Sequence, residues 1–266
     1  MGANREERPG RYATQARTYD LTRSASPTVV RLVSKYLGPA NGRRLLEIAA
    51  GTANYGRVMQ ARGFDLLVLD AEFEMVSRSV GKIGRGRQIV ADAMALPLRA
   101  RSVDCAMLVA AIHLMPDPDR AMSQARRVIR DGPFVLQAFT EENMAPIFVL
   151  EYFPGSELLN DFHPPAAEFA RRLEAAGFSR IEHEKFVYLD TADGTLPALH
   201  TDPLRLAGPA YLRNNSWFNR IPEDVREAGL ARLAEDLRSG ALEEKVKASF
   251  QEAVVTGHGI VFAAWP

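Results

Sequence analysis

Short, unbroken apolar runs alternate with helix-periodic stretches along most of this chain. Ser26 is placed as an N-cap, Pro27 at the first helical position and Gly38 at the end, with Val29, Val30, Val33, Tyr36 and Leu37 at helical spacing between them. A turn follows over 38–42. Leu45–Ile48 reads as a buried strand that runs into a loop of small residues, 49–54. A short helix carrying Tyr55, Val58 and Met59 stops at Gly63, and 66–69 is a second strand ending on Asp70. Further strands are predicted over 88–91, ending on Asp92, over 104–110, just before His113, and over 134–139. An arginine-rich helix at about 120–130 and an amphipathic one over 165–176 precede a sixth strand at 181–188, and 259–265 is a last one. Apolar strands separated by helices mark a parallel sheet covered on both faces. Residues 189–257 hold helical stretches and no evident strand, so a helical cap inserted into one α/β domain is expected.

Composition narrows the class without naming it. The 266 residues are 47% hydrophobic and 25% charged, too apolar for a disordered chain. Thirty-three basic residues balance 33 acidic ones, so net charge gives no reason to expect a nucleic acid or a membrane as partner. One cysteine, Cys105, rules out a disulfide framework within the chain and suits a reducing cytoplasm; a small buried hydrophobe is its expected role. Residues 1–23 are polar and arginine-rich, unlike a secretory signal, and no apolar run approaches a membrane span. No His/Asp/Glu cluster has metal-ligand spacing. Arg120, Arg126, Arg127 and Arg130 are expected on a solvated helix face.

In open α/β sheets ligands sit beyond the carboxyl ends of the strands, where strand order reverses. The loop after the first strand is the place to look. Small residues at Ala49, Gly51 and Ala53 allow close approach to the backbone, and Asp70 stands where a carboxylate can accept from ribose hydroxyls. A nicotinamide-cofactor fold would share both features, but Ala49 and Asn54 occupy the first and third glycine places of its G-x-G-x-x-G fingerprint. Asp92 is placed to accept from an exocyclic amine such as that of adenine. Both aspartates could also simply cap the helices that follow them.

The stretches LLEIAAGTANYG (45–56), FDLLVLDAEFEMV (64–76), IVADAMALPLRARSVDCAML (89–108), IHLMPD (112–117) and RVIRDGPFVLQAF (127–139) resemble, in order and spacing, the class I S-adenosylmethionine-dependent methyltransferases of small molecules. The resemblance implies a doubly wound, Rossmann-like, mostly parallel seven-stranded sheet with an antiparallel last strand. It implies a core of residues 26–188 and 258–266, an N-terminal lid over 1–25 and the helical cap over 189–257. It also implies S-adenosyl-L-methionine as cofactor. Glu47 matches the acid that organises the loop near the methionine part. Ala49, Gly51 and Ala53 match the loop glycines, and Asp70 with Ala71 the ribose end. Met75 matches a side chain lying on adenine, and Asp92 and Ala93 the pair reading the adenine edge. His113 faces the reaction centre. Two of the three motif glycines are alanine here, and a β-carbon costs little unless φ is positive.

For the reaction, a nucleophilic O, N or C of a small-molecule acceptor attacks the sulfonium methyl in line. His113 is the candidate base, against the plainer reading of a packed histidine. Tyr19 is expected to contact the cofactor from the lid, and Tyr12 the acceptor. Tyr152 and His163, with Asp161 nearby, and His200 are the further acceptor-site candidates. Trp217 and Phe218 line the pocket or hold the cap down. A monomer or homodimer in specialised metabolism is the expected setting, with a non-methylating cofactor binder or an NAD-dependent oxidoreductase as alternatives.

Overall fold

The computed structural model describes residues 15–154, 162–208, 211, 214, 215 and 217–266; Tyr12 and Asp161 lie outside these. Seven strands, β1 (Arg44–Ile48), β2 (Asp65–Asp70), β3 (Gln88–Val90), β4 (Cys105–Val109), β5 (Phe134–Ala138), β6 (Arg180–Phe186) and β7 (Gly259–Trp265), form one sheet in the order β3-β2-β1-β4-β5-β7-β6. The first five run parallel, and β7 pairs antiparallel with both β5 and β6. The order reverses between β1 and β4, so their carboxyl ends open a crevice.

The apolar runs are strands because both faces are covered. Helices α2 (Pro27–Leu37) and α3 (Asn54–Ala61), with Ile83 at the end of α4 (Phe73–Ile83), pack one face. Helices α5 (Pro118–Val128) and α6 (Ala166–Ala175) pack the other through Met122, Ala125, Phe169 and Leu173. Helix α2 starts at Pro27 and ends before Gly38 at φ +69°, as expected, but the Ser26 hydroxyl at the N-cap position donates to Asp190 and makes no capping bond. A four-residue helix, α1 (Tyr19–Thr22), precedes it. Cys105 is fully buried in β4. The outermost strand β6 is largely exposed and ends two residues earlier than its sequence suggests, since pairing with β7 stops at Gly259. Tyr188 continues as buried coil.

Arg120 and Arg130 are exposed, as expected, and Arg126 and Arg127 are partly buried, yet each also donates to a main-chain carbonyl. Arg120 donates to the Met94 carbonyl, Arg126 to that of Gly177, Arg127 to those of Leu96 and Leu98, and Arg130 to that of Arg101. Each ties α5, or the turn after it, to a neighbouring loop. Two long helices, α7 (Glu223–Ser239) and α8 (Ala241–Thr256), and several single 3₁₀ turns build the cap. Its apolar cluster, centred on Leu199, Leu206, Trp217, Phe218 and Leu233, also takes in Ile147, Phe148, Tyr152 and Phe153 from the segment after β5. The cap therefore grips the core through the segment that follows β5.

Candidate functional site

Beyond the carboxyl ends of β1 to β4 lies a cavity of about 650 Å³. The loop leaving β1 gives it its floor. Ala49, Gly51 and Ala53 adopt φ of +53°, +53° and +60°, the left-handed conformation that glycine takes most easily. The β1 loop keeps its glycine-type path with two alanines in place. The amide of Gly51 donates to Asp70 Oδ2 at 2.7 Å and that of Glu72 to Asp70 Oδ1 at 2.9 Å. Burial nevertheless pushes the Asp70 pKa up. Asp92 caps the 3₁₀ turn 93–95, accepting from the Met94 amide at 2.8 Å, and remains exposed at the cavity rim. Both capping and ligand binding are open to it at once, since each carboxylate oxygen accepts more than one donor.

Glu47 is buried within β1 with its carboxyl against Gly56 of α3. A β-carbon at Gly56 would collide with Glu47 Oε2, so the close approach needs glycine there. Burial pushes the Glu47 pKa up to about 8, more than the Gly56 amide lowers it, and Asp70 adds to the rise.

Residues 19–25 are tied to this floor and to the cap by polar side chains, some buried and some partly exposed. Lys82 Nζ donates to Asp20 Oδ1, Thr52 Oγ1 and Asn54 Oδ1 at 2.8, 2.7 and 2.6 Å, fastening α1 to the β1 loop. Arg23 pairs with Asp193 of the cap at 3.0 Å and donates to the Gly194 carbonyl, while Tyr55 of α3 donates to the other Asp193 oxygen at 2.7 Å. Burial opposes the Arg23 charge, but Asp193 outweighs it and holds the guanidinium pKa above its ordinary value. Tyr19 lies in the same wall, its hydroxyl pKa raised by burial.

Of the expected cofactor contacts, Tyr19, Glu47, Ala49, Gly51, Asp70, Ala71, Met75, Asp92 and Ala93 all line the cavity. His113 and His163 line it too, their rings 5.3 Å apart, with the Phe139 ring 5.9 and 6.5 Å away. Two acceptor-site expectations are corrected. Tyr152 packs into the cap with its hydroxyl donating to Asp236 at 2.6 Å and Lys245 over its ring, away from the cavity. His200 is turned into the seam between cap and core, its Nε2 2.7 Å from the Tyr188 carbonyl oxygen and its ring 4.3 Å from that of His258. Trp217 does reach the cavity, whereas Phe218 packs on Phe153. Arg23, Asn54, Tyr55 and Asp193 line the wall without having been expected there as site residues. Among the described residues no group of three His, Cys, Asp or Glu is placed to hold a metal, and no helix is long and apolar enough to cross a membrane.

The site divides by chemistry. The half under β1 to β3 carries the three carboxylates that end or interrupt successive strands, with Gly51 opening onto space that no protein atom fills. Under the cap the wall carries Phe139, Met144, Ile147, Leu150, Leu196 and Trp217, with Thr195, Asn214, Asn215 and Arg220 as its polar members.

The family model for a methyltransferase domain matches residues 46–136. A demethylmenaquinone methyltransferase of Renibacterium salmoninarum is 29% identical over 122 residues, covering 44% of this chain and 49% of that protein. A ubiquinone/menaquinone biosynthesis C-methyltransferase of Acidiphilium cryptum is 32% identical over 108 residues, 36% of this chain and 41% of its own length. The chain thus spans about half the length, or less, of these curated relatives. Among solved structures, a candidate methyltransferase of an antibiotic biosynthesis pathway from Anabaena variabilis superposes with a TM-score of 0.78 at 23% identity, covering 92% of this chain and 99% of that one. A phosphoethanolamine N-methyltransferase of Haemonchus contortus, in complex with S-adenosylhomocysteine, superposes at 0.58 and 13% identity over 95% of this chain and 56% of that one. The matched segment runs from β1 to β5, the stretch that builds the carboxylate half of the cavity.

Proposed function

We propose that this chain, which belongs to the class I S-adenosylmethionine-dependent methyltransferase family, transfers a methyl group to O, N or C of a small, flat, largely apolar acceptor held under its cap. The observation that carries the reading is one cavity that joins strand-end carboxylates to a wall rich in apolar and aromatic side chains, with a few polar groups among them.

The residues present fit the cofactor. Asp70, whose oxygens already receive two main-chain amides, has lone pairs left for ribose hydroxyls. Asp92 is available to an exocyclic amine beside the Ala93 backbone, and Met75 offers an apolar surface. Glu47 and the left-handed turn at Gly51 leave room for the methionine part. When bound, S-adenosylmethionine supplies a methyl already activated by its sulfonium sulfur. The protein's contribution is to align the acceptor and keep water out, which the lid and cap do by closing over the cavity. Where the acceptor must lose a proton, His113 and His163 stand in the wall to take it.

The quinone-directed names of the relatives and the antibiotic-pathway setting of the Anabaena protein favour a ring-shaped acceptor, in quinone or specialised metabolism, over a polymer. Thermal denaturation with added ligand tests the cofactor reading. S-adenosylhomocysteine at a hundred times its Kd is expected to add ~2.7 kcal/mol of stability. A shift with NADH and none with millimolar S-adenosylhomocysteine would replace it with a nicotinamide-dependent oxidoreductase. Binding without transfer from labelled S-adenosylmethionine to any acceptor would leave a non-methylating binder.

A further inference from the structure

His163 meets the cavity from the segment leading into α6, with its ring 5.3 Å from that of His113. Its Nδ1 lies 3.2 Å from the main-chain oxygen of Phe139. A carbonyl oxygen only accepts, so Nδ1 carries the hydrogen and the lone pair of the neutral ring is on Nε2. The ring is also flanked by His113 and by the edge of Phe139, residues that follow β4 and β5. Two strand ends thus fix both its tautomer and its plane.

We propose that His163, held in the Nδ1–H form by the Phe139 carbonyl, takes the proton of a hydroxyl-bearing ring acceptor, a hydroxyarene or enol, during methyl transfer. The inference rests on the methyltransferase reading above. The acceptor O–H bond breaks and its proton moves to Nε2. The oxygen's electron pair forms the bond to the methyl carbon while the carbon–sulfur bond breaks, its pair staying on sulfur as S-adenosylhomocysteine. The imidazolium keeps its Nδ1–H on Phe139, so nothing rearranges, and it loses the Nε2 proton to solvent afterwards.

The chemistry selects the acceptor class. An ordinary imidazole titrates near 6.5 and a phenol near 10, a gap of about 3.5 pK units that simultaneous bonding to the methyl can bridge. An alkyl hydroxyl, close to water at about 15.7, lies far beyond reach. A neutral amine attacks with its own lone pair and needs no base beforehand. A flat hydroxylated ring also suits the apolar wall formed by Phe139, Ile147, Leu196 and Trp217.

The test uses the full chain with nitrogen-15 histidine, saturated with S-adenosylhomocysteine at about pH 8. The resonances lost in His163→Phe are expected to be those of a neutral Nδ1–H ring; an Nε2–H ring or an imidazolium overturns the proposal. Labelled methyl transfer is then read with 1-naphthol, 4-hydroxycoumarin and a hydroxynaphthoquinone, and with 1-naphthylamine as the amine control. His163→Phe and His163→Gln are expected to lower transfer to the hydroxyl acceptors by ~10²–10⁴-fold while S-adenosylhomocysteine affinity stays within about threefold. His113→Phe, which keeps the ring contact, is expected to cost less than about tenfold. Wild-type rates in both His163 variants, a larger loss in His113→Phe, or transfer to the amine alone overturns it. So does the absence of transfer to every hydroxyarene while the cofactor product still binds. Failure to bind S-adenosylhomocysteine at all removes the methyltransferase reading instead.

Discussion

Ala49 and Ala53 stand in the left-handed region, where a β-carbon costs ~1–2 kcal/mol against the following carbonyl. Glycine would relieve that cost but lose ~0.5–1 kcal/mol of chain entropy. At Ala53, fully buried, the lost methyl contact takes another ~0.8 kcal/mol, so the exchange is near neutral there. At Ala49, on the cavity wall, it is not. Ala49→Gly is therefore expected to raise stability by about 0.5–1 kcal/mol, read as an increase in the urea midpoint at unchanged m-value. An unchanged or lower midpoint would show that the β1 loop is held without strain. Asp70 and Asp92 were legible because a carboxylate at the end of an apolar run has to face the mouth of the sheet. Lys82, Arg23 and Asp193 were not, because their partners are distant in sequence and only the folded lid brings them together. Gly56 was visible as a residue but not as a requirement, since the Glu47 carboxyl that needs its space lies on another element.

At the scale of elements, the strands and the helices beside them followed directly from pattern. Leu45–Ile48 and Leu66–Leu69 are apolar at every position except Glu47, which only a doubly covered strand tolerates. The cap did not follow. Its 3₁₀ turns, such as 196–201 and 203–207, carry a proline at the first or second position and have no period to read, and they pack on the segment 147–153. Tyr152 and His200 were misplaced for that reason: each sits beside the cavity in sequence and turns away from it in space. The Arg23–Asp193–Tyr55 cluster fastens the start of the cap to α3 and to the segment before α2. Asp193→Asn keeps the shape and removes the charge, leaving a largely buried guanidinium uncompensated. Removing one partner of a buried pair costs ~3–5 kcal/mol; Arg23 keeps 16% of its side chain exposed, so about 2–3 kcal/mol is expected here. Hydrogen exchange should quicken in residues 19–25 and 193–200 and stay unchanged in β4 and β5. Uniform quickening throughout would mean that the cluster supports the whole fold and does not act as a fastening for the cap.

For the whole molecule, two buried groups outside the ion pairs set opposite limits on pH. Glu47 titrates at about 8 in the folded chain against 4.5 ordinarily, because of burial, so folding binds its proton. Its contribution is complete below pH 4.5 and is lost as pH rises to about 8, at ~1.4 kcal/mol per pH unit. His258 behaves in the opposite sense. It is fully buried at the start of β7, where the Tyr188 amide donates to its Nδ1 at 3.2 Å, and a proton there would meet that donor. Burial, then the facing His200, lower its pKa from 6.5 to about 3, so its contribution is complete above pH 6.5 and lost as pH falls. Between pH 4.5 and 6.5 the two slopes cancel, which predicts a flat maximum with a fall on either side. Asp70 and Lys82 face Glu47, and His200 faces His258, so single variants must be read as differences from wild type. Glu47→Gln should remove the loss above pH 6.5 and leave the acid limb intact. His258→Asn, whose amide oxygen can take the Tyr188 amide, should remove the acid limb and leave the alkaline one. Melting temperatures followed from pH 3.5 to 8.5, a range chosen to span both transitions, check the pair; variant curves running parallel to wild type would mean that neither group is held in the protonation state that its burial imposes.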